Sequence, residues 1–220
     1  MPRTIRFGAL AAIAAGAVIA ASLTVVTPAA EAAKPGKIDR QTFHDTMRVL
    51  WEDHIVWTRQ YIVSAATLST DLPDIGPTTD RLLANQADLG DAFRPFYGDA
   101  VGDAVTSLLR DHILTAARLI TAVKAGDAAE ADAASAAWYA NADDIAAALN
   151  GINPRAWDLD QMQAMMRVHL DRTREEAVAR LEGRYADDIA AYAAVRADIL
   201  AMADMLSDGI MAQFPQRFSH

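Results

Sequence analysis

Five histidines stand in this 220-residue chain, and three of them recur in matching surroundings. His54 follows Leu50 and Trp51 by one helical turn and precedes Trp57 and Thr58. Leu108, Leu109 and Ala116 surround His112 in the same way, as Met165, Met166 and Thr173 surround His169. Residues three and four apart share one face of a helix, so all three imidazoles are predicted to point inward. Two Asn/Asp pairs have the same character. Asn85 with Asp88, and Asn141 with Asp144, each project from one helical face between apolar neighbours. Imidazole nitrogens and carboxylate oxygens together suit zinc, iron, copper or manganese. Helix-bundle cores host such sites, with ligands projecting from facing helices. His54, His112, His169, Asp88 and Asp144 are therefore the candidate ligands of a divalent transition metal, or the lining of a small-ligand site between the His-bearing helices.

Two other readings compete with the metal. The sequence has no His-Glu-x-x-His and no pair of Glu-x-x-His motifs. Each His would then hydrogen-bond an Asp or Asn of its own hairpin and lock helix register, since a buried carboxylate needs a partner. The chain would in that case be a structural or interaction module. An enzyme built on the same polar core is the third reading. The sequence has no phosphate-binding Gly-rich loop, no nucleophile elbow and no Ser-His-Asp order in context, so nothing names a reaction.

Positioning these residues requires helices. Periodic apolar segments alternate with stop signals and predict helices over about 38–70, 79–93, 99–125, 128–149, 158–182 and 184–213. Leu72-Pro73-Asp74, Gly76-Pro77, Pro95, Gly98, Gly126, Gly151-Ile152-Asn153-Pro154, Gly183 and Pro215 break them. Thr78 or Thr79 is the expected cap of the second, and Asp127 with Glu130 that of the fourth. No strand is predicted. Six helices with short connections imply an all-α antiparallel bundle. Short internal matches group them as three hairpins: Asp53-His54-Ile55, Asp111-His112-Ile113 and Val168-His169-Leu170, each with an Asp-bearing companion, the last being Tyr185-Ala186-Asp187-Asp188-Ile189. Repeats of this length are typical of helical arrays, though such matches also arise by chance in an Ala-rich chain.

The remaining features read as scaffold. Trp51, Trp57, Tyr61, Trp138 and Tyr139 fall at core spacings, with a stacking pocket for a planar ligand as the alternative. The methionines from Met162 to Met211 read as adaptable core filling, with copper(I) ligation through thioethers as the alternative. Arg172, Arg174, Glu175 and Glu176 read as a solvated face, and Arg59 as the partner of a carboxylate on a neighbouring helix.

The N-terminus sets the compartment. Arg3 and Arg6 precede an apolar run over about 7–26, followed by Ala30-Glu31-Ala32. That order is a signal peptide, residues 1–32, with 33–220 as one mature helical domain. An uncleaved membrane anchor is the alternative. The chain has no Cys, which removes disulfides, a lipid anchor and thiolate chemistry. Its net charge is −9, and cleavage removes two bases and one acid. An acidic chain of this kind is not expected to bind nucleic acid or anionic membrane; a metal ion, a small ligand or an envelope protein is the expected partner.

Several strings carry a resemblance: Leu50-Trp51-Glu52-Asp53-His54 with Trp57-Thr58-Arg59, Pro95-Phe96-Tyr97-Gly98, Trp138-Tyr139-Ala140-Asn141-Ala142-Asp143, Ile152-Asn153-Pro154 and Gln213-Phe214-Pro215. Over roughly 43–218 the chain resembles a family of small bacterial helical proteins that go by names such as glycosyltransferase or acetylglutamate kinase. The resemblance implies a helical fold and supplies no site residues. Either named activity would require an α/β nucleotide-binding sheet, and this sequence has no strands to build one. The expectation is an exported, non-enzymatic binding protein of the cell envelope or medium.

Overall fold

A computed structural model describes residues 36–65 and 70–219; the expected signal peptide lies outside them. Six helices carry the fold: α1 (Arg40–Ala65), α2 (Ile75–Tyr97), α3 (Asp99–Ala125), α4 (Ala128–Ile152), α5 (Leu159–Leu181) and α6 (Tyr185–Gln213). The protein is an all-α bundle. Each helix packs on the next, and α6 returns to α1, so the six close into a ring. Among the described residues no helix is long and apolar enough to cross a membrane.

Local chemistry accounts for the ends. The Asp127 carboxylate accepts from the Glu130 amide at 3.1 Å, and the Asp158 carboxylate accepts from the Gln161 amide at 3.1 Å, capping α4 and α5. Glu130 itself turns to Arg118 instead of closing a reciprocal box. Gly126 ends α3 at φ 70°, a left-handed conformation that costs glycine little. The second helix is longer than its sequence suggests. It begins at Ile75, after Asp74, not at a threonine cap. Pro77 falls in the first turn, where its missing N–H has no partner to lose. At the other end the helix runs past Pro95, because Phe93 is fully buried and Phe96 and Tyr97 join the aromatic core.

Two short strands were not foreseen. β1 (Ile38–Asp39) pairs in parallel with β2 (Phe218–Ser219), which follows a 3-10 turn at Pro215–Arg217. They close one end of the ring over an aromatic cluster. Phe96 stacks on Phe218 at 5.4 Å, Phe43 meets Phe96 edge-on at 5.2 Å, and Tyr97 meets Phe214 at 5.2 Å. Trp157 is fully buried beneath them, and Gly209 lets it lie close: a Cβ there would stand 2.2 Å from the indole nitrogen. Asn153, from the Ile152-Asn153-Pro154 break, donates to the Gly209 carbonyl at 3.0 Å and ties the α4–α5 connection to α6.

Candidate functional site

The three recurring histidines meet in mid-bundle. His54 on α1, His112 on α3 and His169 on α5 are 3%, 3% and 4% exposed. Ring centroids of His54 and His169 are 6.0 Å apart, and those of His112 and His169 are 6.2 Å apart. The inward face read from the sequence is therefore real, and the imidazoles form one layer.

The carboxylates do not join it. Asp88 is 48% exposed and pairs with Arg81 at 3.3 Å, while Asp144 is exposed on α4. Among the described residues no group of three or more His, Asp or Glu is set to hold a metal ion, so the expected metal site is not supported. A residue three positions from an inward Asn is turned partway round the helix, and a carboxylate in that position gains water by facing out.

Neutral amides take their place. His54 Nδ1 lies 3.1 Å from Gln86 Oε1, and His112 Nδ1 lies 2.9 Å from Asn141 Oδ1. The amide orientations follow from their other bonds. Gln86 Nε2 donates to Leu82 O at 2.7 Å and to Asn85 Oδ1 at 3.1 Å, and Asn141 Nδ2 donates to Leu108 O at 3.1 Å. Both amide oxygens must then accept, so His54 and His112 each donate from Nδ1. Asn85 Nδ2 donates to Leu50 O at 3.0 Å, the counterpart of the Asn141–Leu108 bond. The third helix pair differs. His169 Nδ1 is buried with no partner among the described residues. The residue 29 positions after His112 is Asn141; the same step from His169 reaches Asp198, which pairs with Arg172.

Burial keeps all three rings neutral. It pushes His54 down to about 4, against the upward pull of the Gln86 bond. Burial and then the nearby His54 push His112 down to about 3. His169 is held well below its ordinary value by burial and by both neighbouring rings. The void against the three rings is only about 10 Å³, room for about one water.

The larger space lies one turn further along. Thr58, Ala116 and Thr173 each stand four residues after a layer histidine, and all three line a cavity of about 240 Å³. Its walls come from α1 to α5, toward the ends where α1, α3 and α5 finish. Trp138 separates the two levels: it lines the cavity and packs on His112 at 5.5 Å. Leu82, Ile62 and Ile113 make the deep wall, at 1%, 1% and 5% exposed. Asp132 and Arg174 stand exposed at the mouth.

A charged cluster beside the cavity was only half foreseen. Arg59 donates to Glu176 at 2.7 Å and to Asp188 at 2.6 and 3.2 Å, while Arg180 reaches Asp188 at 3.4 Å. Glu176 is 2% exposed and Asp188 fully buried, which corrects the reading of Glu176 as part of a solvated face. Its helix faces α6, whose Asp188 anchors Arg59. Burial pushes the Glu176 carboxyl up to about 7, against the pull of Arg59. The guanidinium of Arg59 lies over the Tyr192 ring at 4.8 Å. The sequence signal was the Arg59 position itself, together with Asp188 as the one companion aspartate that turns inward.

Comparison with family models, with characterised proteins and with solved structures gave no significant match. The chemistry of this site rests on its own geometry.

Proposed function

We propose that this chain is a non-enzymatic binding protein acting outside the cytoplasm, and that it holds one small, largely apolar ligand in the cavity above the histidine layer. The observation that carries this reading is the cavity of about 240 Å³, walled mostly by hydrocarbon and open beside Arg174 and Asp132. Small-ligand sites are concave, mostly apolar and supplied with a few polar groups, and an engineered apolar cavity of about 150 Å³ already takes benzene. Four of the polar groups nearby are already engaged. Thr58 and Thr173 donate to their own helices, and His54 and His112 donate to amides. The N-terminal basic and apolar segment supports export.

The histidine layer has a second role in this reading. The His54–Gln86 and His112–Asn141 bonds fix the register of α1 against α2 and of α3 against α4, because a slip would leave buried polar atoms unpaired.

Toluene tests the proposal as the simplest probe of shape. Isothermal titration of the mature protein is expected to show one saturable site per chain. Ala116→Phe, which projects a ring into the cavity, is expected to abolish it while leaving the helical circular-dichroism spectrum unchanged. Wild-type protein that does not bind toluene, or a filled variant that binds it as well as wild type, would overturn the reading.

A further inference from the structure

The cavity offers its polar atoms unevenly, and the imbalance selects a class of ligand. Thr173 is the deepest hydroxyl in the wall, 7% exposed. Its Oγ1 donates to His169 O at 2.8 Å, and Thr58 Oγ1 donates to His54 O at 2.7 Å. A hydroxyl has one proton and two lone pairs. With each proton held by its own helix, both threonine oxygens can only accept from a ligand. The indole N–H of Trp138 does not redress the balance, because it is buried out of reach of solvent-sized groups. The other donors in the wall, the hydroxyls of Tyr61 and Ser135 and the Arg174 guanidinium, belong to residues more exposed than Thr173.

A ligand group that reaches the floor must therefore supply the proton. A carbonyl, ether or carboxylate there would face lone pairs, and a carboxylate would also bury its charge without a partner. An ammonium would bring donors, but its charge would lie among Ile62, Leu82 and Ile113, with the Asp132 carboxylate out at the exposed mouth. The volume adds a second restriction. About 240 Å³ exceeds the roughly 150 Å³ that accommodates benzene, which leaves room for a ring and a few further atoms and none for a long acyl chain. Trp138 supplies an aromatic wall against which a ring packs.

Resting on the binding-protein reading above, we infer that the ligand is a small neutral ring compound with a single O–H or N–H donor, of the phenol or indole class. Its donor bonds Thr173 Oγ1 or Thr58 Oγ1, and its ring lies against Trp138.

The experiment is isothermal titration of the mature protein with phenol, indole, toluene, benzoate and benzylamine, repeated on Thr58→Val/Thr173→Val and on Thr173→Ser. Phenol and indole are expected to bind roughly tenfold more tightly than toluene, the worth of about one hydrogen bond. Benzoate and benzylamine are expected to bind more weakly than phenol. The double valine variant should bind toluene at least as well as wild type, which reports an intact cavity, and should lose the preference for phenol. Thr173→Ser should keep it. Toluene binding as tightly as phenol in wild type, a preference for either charged compound, or a phenol preference that survives the double variant would overturn the ligand class and leave the binding-protein reading standing. Failure of every compound to bind would overturn both.

Discussion

The two ends of the ring are built from the same helices and finish differently. At the end capped by β1 and β2, Phe43, Phe96, Tyr97, Phe214 and Phe218 meet ring to ring above a fully buried Trp157. At the other end the corresponding space is bordered by Ala116, Ala117, Ala131 and Ala177, and a cavity remains. Closure here depends on side-chain volume more than on helix placement. The means of attachment differ too. Aromatic contact holds the closed end, whereas at the open end the Arg59–Glu176–Asp188 cluster ties α1, α5 and α6 together beside the cavity. A protein can leave a hole at one end when the other end supplies packing, and charge can hold helices whose facing side chains are kept small.

The largest expected effect strikes the closed end. Trp157→Ala removes a fully buried indole and should cost about 3–5 kcal/mol in urea unfolding, while the folded fraction still binds toluene. Loss of binding in fully folded variant protein would show that the ends are not separable. At the open end, Arg59→Met leaves two buried carboxylates without their shared partner and should cost about 3 kcal/mol. A cost below about 1 kcal/mol would mean that charge does not hold this end.

The smallest effect per group lies between the ends and is read by pH. His54, His112 and His169 have folded values depressed below the ordinary 6.5. The unfolded chain therefore binds more protons below that value, and stability falls as pH drops from about 6.5 toward 4. Each imidazole contributes up to about 1.4 kcal/mol per pH unit in that window. Glu176 acts in the opposite sense. Its folded value is raised to about 7, so its contribution is full below the unfolded carboxyl value and is lost as pH rises through about 7. Near pH 5.5 the three histidines less the one glutamate leave a net uptake of about two protons on unfolding. His169→Leu should lower that by about one and disturb little else, since no hydrogen bond to its Nδ1 is lost. An unchanged pH slope in that variant would place the titration elsewhere.

Much of this architecture was legible in the sequence. The limits of α3, α5 and α6 fall within about a residue of those predicted from the breaks at Gly98, Gly126, Gly151-Ile152-Asn153-Pro154, Gly183 and Pro215, because breakers act locally. The inward face of His54, His112 and His169 was legible for the same reason: helical period alone decides it. Their partners were not. Asn85 with Asp88 and Asn141 with Asp144 look equivalent as pairs in sequence, and desolvation separates them, sending the amides inward and the carboxylates out. The cavity had no local signature at all, because an alanine reads the same whether it faces a neighbour or a gap. β1 and β2 were too short to register as periodic strands, and they pair across nearly the whole chain.

That pairing has a consequence for how the molecule forms. Ser219 and Ile38 meet across 181 residues of chain, a closure whose entropic cost is on the order of 5 kcal/mol. Hairpins of neighbouring helices close much shorter loops and assemble sooner. The seam between the first and last described segments, β2 on β1 and α6 on α1, is then the final stitch in a circle whose other main contacts join helices adjacent in sequence. A circle of this kind has no privileged starting point. Linked across the clasp and reopened at the Gly126 turn, the same helices would keep every neighbour they have now, with the slow closure moved to a different seam.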